Sequence, residues 1–240
     1  MPSLADVRDL LRAHRPAAKP YVVAITGSVA AGKSVFAGEL AADIAAWPER
    51  PNAEIVCTDG FLMDNAALEA LGLTQHKGFP ESYDVEGLQA ALTAIRRGPA
   101  RFPAYSHVTY DIDGGLARTF DPPDVLIVEG LGLQIDHGPL IDALVYLDAD
   151  EADLEAWFTE RFIGLWTAAE HEPASFYTRF RNLDEAGARA FAKVVWERIN
   201  LPNLRDHIVA ARDLADIVIH KSSGHAIEAI GGKWVPRSVR

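Results

Sequence analysis

Short apolar runs separated by longer mixed stretches dominate this chain, and the pattern predicts strands buried on both faces. The five runs are YVVAIT (21–26), AEIVC (53–57), DVLIVEG (124–130), ALVYLDA (143–149) and ADIVIH (215–220). The stretches around them predict helices over residues 3–14, 32–46, 84–97, 151–166 and 184–199. Strands that alternate with helices imply an α/β fold with a mainly parallel sheet flanked by helices.

Two of the predicted helices carry signals at their ends. Ser3 and Asp6 have the spacing of a capping box at the start of the first helix. Asp84 precedes the third helix as a candidate N-cap, and Gly98 lies just past its end. These signals fix where both helices begin and where one of them stops.

Residues 103–111, PAYSHVTYD, form a separate polar and aromatic stretch. Tyr105, His107 and Thr109 alternate with other residues and would share one face of a strand. The alternation predicts a strand that lines a polar cleft, although a lone histidine is more often structural than catalytic.

Composition narrows the function classes. The 240 residues have a net charge of −11, which argues against nucleic-acid binding but not against a small anionic ligand. One cysteine, Cys57, excludes an internal disulfide framework. No apolar run approaches the roughly 18 residues of a membrane span, and no signal peptide is recognisable, so we expect a cytoplasmic protein that does not bind membranes.

No repeat or linker divides the chain, so we expect a single domain over residues 1–240. Within it, residues 1–20 would form a short N-terminal helix and linker. Residues 151–212 would form a helical lid and acceptor-site region.

The strongest chemical signal is GSVAAGKS, residues 27–34, which fits G-x-x-x-x-G-K-[ST] without a mismatch. It follows a predicted strand and opens a predicted helix, so its backbone amides and the helix dipole would converge on an anion. Lys33 would reach the β- and γ-phosphates of a nucleotide, and Ser34 would bind Mg²⁺. We therefore expect a P-loop NTPase fold, a three-layer sandwich.

Two carboxylates follow predicted strands and could complete this chemistry. Asp59 could accept a proton from an attacking hydroxyl, or it could be an ordinary Asp-Gly turn residue. Glu129 ends an apolar strand, where an acid can contact Mg²⁺, or it could simply be exposed at the strand end. The residues alone leave both alternatives open.

Arg161 lies on the helix predicted over 151–166, near Trp157, Phe158 and Phe162. An arginine there could close over the transferring phosphoryl group. From sequence spacing alone, a surface salt bridge is the favoured interpretation.

Several stretches together resemble bacterial type I pantothenate kinases, within the phosphoribulokinase/uridine kinase group of P-loop kinases. In chain order they are GSVAAGKS (27–34), TDGF (58–61), KGFPESYD (77–84), YSHVTYD (105–111), LIVEG (126–130), RF (161–162), WERINLPNL (196–204) and KSSGHAIE (221–228). The resemblance implies an ATP- and Mg²⁺-dependent phosphoryl transfer to the primary hydroxyl of pantothenate, the first step of coenzyme A synthesis. It also makes a homodimer a reasonable expectation.

The resemblance also implies roles for individual residues. Asp59 takes the catalytic acid's position, Lys33 and Arg161 serve the transferred phosphoryl group, and Ser34 and Glu129 hold the metal. ATP would be held by Gly27, Ser28, Val29, Ala30, Ala31, Gly32, Lys33, Ser34 and Val35, with His225 stacking on adenine. The acceptor would be held by Asp59, Tyr83, Tyr105, His107, Phe158, Arg161 and Asn200.

The chain departs from the family pattern at several positions. Only 26 residues precede Gly27. Phe158 stands where the family has a substrate-contacting tyrosine, and Gly38 replaces a basic residue implicated in feedback inhibition by coenzyme A. The basic run before GFPES is reduced to QHK (75–77), and Leu201-Pro202 alters the bend beside Asn200. These changes bear on the acceptor and on regulation; losing a pocket hydroxyl can cost about 1–3 kcal/mol.

Other functions remain open at this stage. The acceptor could be a nucleoside, a sugar or another small alcohol. A nucleotide-dependent ATPase or switch is a different class, but the chain has neither an [NT]-K-x-D nor an L-S-G-G-Q motif. A member that binds nucleotide without turnover is a third possibility, and the intact Lys33, Ser34, Asp59 and Glu129 argue against it.

Overall fold

A six-stranded sheet organises the computed structural model, which describes residues 2–133 and 138–235. The described strands are β1 Tyr21–Gly27, β2 Ala53–Cys57, β3 Ala100–Phe102, β4 Tyr105–Ser106, β5 Asp111–Ile112, β6 Arg118–Phe120, β7 Val125–Glu129, β8 Ala143–Ala149, β9 Ile217–Lys221 and β10 Ile227–Gly231. The sheet order is β10-β9-β8-β1-β7-β2, with β10 antiparallel to β9 and the other pairs parallel.

Helices flank this sheet. They are α1 Leu4–Ala13, α2 Lys33–Ala45, α3 Asn65–Ala70, α4 Val85–Ile95, α5 Glu151–Ala168, α6 Glu185–Val195, α7 Leu201–Asn203 and α8 Ala210–Leu214. Helix α2 packs on β1, β2 and β7, while α8 packs on β1 and β8. None of the helices in the described ranges is both long and apolar enough to cross a bilayer.

Strand β1 lies at the centre of the sheet, and all seven of its residues are buried. Burial on both faces explains why this strand is almost continuously apolar, as expected for a parallel strand covered by helices. In the register, Ile25 pairs with Glu129 on one side and Gly27 with Leu147 on the other. The carboxyl ends of the parallel strands thus meet at one edge, where such sheets bind ligands.

The helical region after β8 has a small apolar core of its own. This second cluster, separate from the main core around the sheet, includes Phe162 on α5, Tyr177 in the 3₁₀ turn Phe176–Phe180, and Ala188 on α6. Beyond α6 the chain continues through two wide π-helical turns, Trp196–Asn200 and Leu204–Ile208, on either side of α7. Pro202 in α7 has no N–H to donate, which accounts for the irregular hydrogen bonding there.

The predicted α/β architecture is confirmed, and each of the five predicted strands and five predicted helices has its counterpart. The capping box is also formed: the Ser3 backbone N–H donates to the Asp6 carboxylate at 2.8 Å. Asp84 caps α4 by accepting from the Gly87 N–H at 2.8 Å.

The strand predicted over 103–111 is wrong. Strands β4 and β5 are only two residues long and pair as a hairpin, and residues 107–110 form the turn between them. The Tyr110 N–H closes this turn by donating to the Ser106 carbonyl at 2.7 Å, with Tyr110 at a φ of +60°. His107 and Thr109 therefore do not share a strand face with Tyr105, since an alternating pattern this short does not exclude a turn.

Strand β10 was missed. Its sequence, IEAIG, forms the edge of the sheet and is only partly buried, so it lacks the continuous apolar character of the inner strands.

Candidate active site

The loop from Gly27 to Gly32 joins the carboxyl end of β1 to the start of α2. Gly27 has a φ of +142°, and a Cβ there would lie 2.3 Å from the Leu147 carbonyl oxygen. Gly32 has a φ of +83° as the residue before the helix. Both positions therefore require glycine, which explains the two fixed glycines of the motif.

Backbone amides of this loop are available to an anion. Within the described ranges, the N–H groups of Val29, Ala30, Gly32, Lys33 and Ser34 donate to no protein acceptor. They lie at the N-terminus of the 13-residue helix α2, whose dipole favours negative charge. This arrangement fits the phosphate groups of a nucleotide.

Lys33 lies inside the loop and is tied to it. Its Nζ donates to the carbonyl oxygens of Gly27 at 3.2 Å and Ser28 at 2.8 Å. Burial lowers the pKa of Lys33, while the charges of Glu129 and Asp59 oppose that shift and the charge of Arg161 adds to it. The four charged groups that the sequence singled out therefore act on one another at one site.

Glu129 and Ser34 form the oxygen pair that was predicted to hold a metal. The Ser34 hydroxyl donates to Glu129 Oε1 at 2.9 Å, and Glu129 is only 5% exposed at the end of β7. The alternative of an exposed strand-end acid is therefore wrong. Hydroxyl and carboxylate oxygens suit Mg²⁺, which commonly takes one or two protein ligands beside substrate phosphates. In keeping with this, no cluster of three or more His, Cys, Asp or Glu suited to a metal occurs among the described residues.

Asp59 lies in a single 3₁₀ turn, Thr58–Phe61, directly after β2. The turn is anchored, because the Thr58 hydroxyl donates to the Leu131 carbonyl at 2.7 Å. It is also tight, because a Cβ on Gly60 would lie 2.3 Å from the Pro103 carbonyl oxygen. The Asp-Gly pair is thus part of a packed turn that holds the Asp59 carboxylate at the same sheet edge as the loop.

Tyr83 contacts this carboxylate directly. Its hydroxyl donates to Asp59 Oδ1 at 3.1 Å. Burial and the nearby Asp59 charge raise the pKa of Tyr83 well above its usual value, so the phenol stays protonated and remains a donor. The tyrosine predicted to bind the acceptor therefore also orients the candidate base.

Lys77 was missed as a site residue. Its Nζ donates to Asn65 Oδ1 at 2.6 Å and to the Tyr110 carbonyl at 2.7 Å, and lies 4.9 Å from the centre of the Tyr105 ring. Burial lowers the pKa of Lys77, and the charges of Asp111 and Asp59 oppose the shift. The sequence holds a signal, since Lys77 begins the stretch KGFPESYD, but neither the spacing nor the resemblance assigned it a role of its own.

Arg161 projects from α5 and is exposed. It makes no hydrogen bond or ion pair with any residue in the described ranges, so the surface salt bridge favoured by spacing is not formed. Its charge nevertheless lowers the pKa of Lys33 and opposes the rise in the pKa of Tyr110 and Tyr177. Arg161 is therefore close to the loop and to the aromatic side of the cleft.

Phe158 and Asn200 lie on opposite helical segments of the same region. Phe158 is half-buried, with its ring centre 6.0 Å from that of Trp196. Asn200 ends the first π-helical turn, and its Nδ2 is buried without a hydrogen-bond partner among the described residues. An unpaired buried donor is costly, which is expected where a ligand supplies the acceptor.

His107 and His225 differ in their surroundings. His107 is exposed in the hairpin turn, with its ring centre 5.2 Å from Tyr105. His225 lies in the β9–β10 turn at a φ of +64° and stacks on Trp157 at 4.0 Å with a 24° angle between the rings. Trp157 donates its Nε1–H to the Ser223 carbonyl at 3.0 Å, which fixes the stack to the turn. One face of His225 is therefore covered by α5.

Comparisons with known proteins agree with this geometry. The profile of the phosphoribulokinase/uridine kinase family matches residues 22–158. A pantothenate kinase from Bradyrhizobium sp. (strain ORS 278) is 42% identical over 226 aligned positions, covering 88% of this chain and 71% of the relative. A pantothenate kinase from Sorangium cellulosum (strain So ce56) is 40% identical over 237 positions, covering 95% and 77%. A solved structure described as a fructose transport system kinase, from Silicibacter sp. TM1040, is 26% identical with a TM-score of 0.69, covering 85% of this chain and 93% of that one.

Proposed function

The chain belongs to the phosphoribulokinase/uridine kinase family and is an ATP-dependent small-molecule kinase, and on this premise we propose that its acceptor is pantothenate. The observation that carries the proposal is that the Asp59 carboxylate, which accepts from Tyr83, follows β2 at the same sheet edge as the phosphate loop and the Ser34–Glu129 pair. The relatives named pantothenate kinase, which align along most of the chain, support the choice of acceptor.

The loop from Gly27 to Gly32 and the start of α2 would bind the phosphates. The free amides of Val29, Ala30, Gly32, Lys33 and Ser34 would donate to phosphate oxygens, and the Lys33 ammonium would exchange its loop carbonyls for them. Ser34 and Glu129 would hold Mg²⁺, which supplies charge neutralisation when bound. Trp157 and His225 would border the adenine as a stacked pair.

Asp59 and Arg161 would carry out the transfer of the phosphoryl group. The acceptor hydroxyl oxygen forms a bond to the γ-phosphorus while the bond from that phosphorus to the bridging oxygen of ADP breaks. The Asp59 carboxylate takes the hydroxyl proton, and Tyr83 holds that carboxylate in orientation. Arg161, which has no protein partner in the described ranges, would stabilise the charge on the transferring group.

The acceptor would be held in the cleft between the β4–β5 hairpin, α5 and the π-helical turn. The side chains lining it would be Tyr105, His107, Phe158 and Asn200. Lys77 adds a cation beside Asp59. Lys77 would suit an acceptor with an anionic group, a feature that pantothenate has through its carboxylate.

A sugar is the second candidate acceptor. Phe158 gives the cleft a ring without a hydroxyl at a position where the resemblance leads us to expect tyrosine. The fructose transport system kinase structure also superposes on most of the chain. A site that lacks one hydrogen-bonding group discriminates less sharply between acceptors.

The proposal has finer parts. We propose that catalysis needs Mg²⁺, that the enzyme serves coenzyme A synthesis in the cytoplasm, and that it functions as a homodimer. The whole chain would act as one kinase domain, with residues 151–212 as its lid and acceptor region. The exposed Gly38 leads us to expect weak feedback inhibition at most.

The test is the initial rate of ADP formation with pantothenate, nucleosides and sugars, each offered to wild type, Asp59→Asn and Asp121→Asn. Asp121 is an exposed acid that is not among the residues assigned to the site, and it serves as the control. We expect stimulation by pantothenate above all, a loss of about 10²–10⁴-fold in Asp59→Asn, and wild-type rates in the control. Equal rates with and without every acceptor would identify an ATPase instead. A sugar or nucleoside preferred over pantothenate would contradict the proposed acceptor.

A further inference from the structure

Lys221, the last residue of β9, is a buried lysine that no step above uses. It is 9% exposed, and its Nζ donates to the Ala31 carbonyl oxygen of the phosphate loop at 3.0 Å. Within the described ranges it forms no ion pair with a carboxylate. The contact joins two segments that are 190 positions apart in the chain.

An ammonium buried without a carboxylate is unfavourable, and the cost is seen in the lowered pKa of Lys221. Burial is the cause, and the charge of Glu39 opposes it only in part. The Trp157 ring, 5.6 Å from Nζ, adds a weak cation–π contact. Buried charges in proteins are normally paired, so an unpaired cation beside an anion site indicates that the anion is the missing partner.

The contact also fixes the direction of one peptide group. Because the peptide plane is rigid and trans, holding the Ala31 carbonyl towards Lys221 aims the Gly32 N–H the opposite way. That N–H is one of the loop amides without a protein acceptor in the described ranges. The fit is close, since a Cβ on Gly32 would lie 3.0 Å from Lys221 Nζ.

Lys33 acts on the same loop from within. It holds the carbonyls of Gly27 and Ser28, whereas Lys221 holds that of Ala31. The two lysines thus hold three of the loop's carbonyls, but only Lys221 reaches the loop from another strand.

We propose that Lys221 is a positioning residue for nucleotide phosphates: it presets the Gly32 amide through the Ala31 carbonyl and supplies positive charge to the loop. The inference rests on the proposed function only in requiring that the loop binds the phosphates of ATP and ADP. It is independent of which alcohol accepts the phosphoryl group.

Lys221→Met is the main variant, and Lys221→Arg restores a charged donor. Lys233→Met is the matched control, because Lys233 Nζ also donates to a backbone carbonyl, that of Leu214 at 2.7 Å, but is exposed and remote from the loop. The readouts are the dissociation constants for ADP and for adenosine by calorimetry, together with the melting temperature. Adenosine lacks phosphates, so it separates phosphate positioning from general damage.

Losing a hydrogen bond from a charged donor predicts ADP binding about tenfold weaker in Lys221→Met. Adenosine affinity should be unchanged, Lys221→Arg should recover most of the loss, and Lys233→Met should match wild type. Unchanged ADP affinity in Lys221→Met would overturn the inference and leave the kinase assignment standing. A parallel loss for adenosine and ADP would also overturn it, because Lys221 would then be structural. A wild-type chain that binds no ADP would contradict the proposed function itself.

Discussion

Two regions of the candidate site are built differently: the phosphate side around residues 27–34, and the proposed acceptor side around Asp59, Arg161 and Asn200. On the phosphate side, the side chains of Lys33, Ser34, Glu129 and Lys221 all have protein partners. On the acceptor side, Arg161 and the Asn200 amide nitrogen have none among the described residues.

The two sides also differ in their scaffolds. The phosphate loop is one contiguous motif on a fully buried strand, between β1 and α2. The acceptor side joins a hairpin, a helix and a π-helical turn that are far apart in the chain. Ligand binding on the phosphate side would use free backbone amides and exchange the existing side-chain contacts of Lys33 and Ser34. On the proposed acceptor side it would satisfy the unpaired side chains of Arg161 and Asn200. The first side suits one constant ligand, and the second is where specificity is set.

Substitutions of Asn200 and Asn203, which lie three residues apart, should give the largest measurable difference between a ligand-binding and a structural side chain. Asn200 Nδ2 is unpaired, whereas Asn203 Nδ2 donates to the Gly78 carbonyl at 2.9 Å. We expect Asn200→Ala to raise the KM for the acceptor about tenfold, the value of one good hydrogen bond, with little change in melting temperature. Asn203→Ala should cost about 1–3 kcal/mol of stability by removing a buried side chain and leaving the half-buried Gly78 carbonyl without its donor.

Steady-state kinetics and thermal melts of Asn200→Ala and Asn203→Ala test whether Asn200 binds the acceptor while Asn203 stabilises the fold. Equal destabilisation of the two would show that Asn200 is structural, and the contrast between the sides would fail at that residue.

A smaller effect tests the phosphate side. Because burial lowers the pKa of Lys33, the unfolded chain binds its proton more tightly, and the charged lysine destabilises the fold at neutral pH. This cost is present below the folded-state pKa and is relieved as the pH rises towards the unfolded value of 10.5. Lys33→Met should therefore be inactive and free of this pH-dependent cost, while it also leaves the Gly27 and Ser28 carbonyls without their donor at every pH.

The melting temperature of Lys33→Met minus that of wild type should decrease between pH 7 and pH 10, because wild type alone is relieved of the burial cost. Lys233→Met, which removes an exposed lysine, should show no such trend. A difference that stays constant or rises with pH would contradict the burial argument.

Sequence predicted the phosphate side well for a physical reason. Local constraints define it: a buried strand, two glycines at positive φ and a lysine and serine at fixed offsets all lie within a few residues. The strands and helices were predictable for the same reason, because each has a strong periodicity or a capping residue within its own sequence.

The acceptor side was less predictable because tertiary contacts define it. The alternation of Tyr105, His107 and Thr109 indicated a strand, but the closed turn at Tyr110 produced a hairpin. Lys77 acquires its importance from Asn65 and the Tyr110 carbonyl, which no spacing rule connects. Lys221 likewise meets the loop only through the pairing of β9 with β8 and of β8 with β1.

The most direct test of the central claim is phosphorus NMR of the products formed by wild type from ATP and pantothenate. We expect one phosphomonoester on the primary hydroxyl of pantothenate, formed in step with ADP. Inorganic phosphate accompanying ADP, with no ester, would contradict the claim that the acceptor side delivers an alcohol to Asp59.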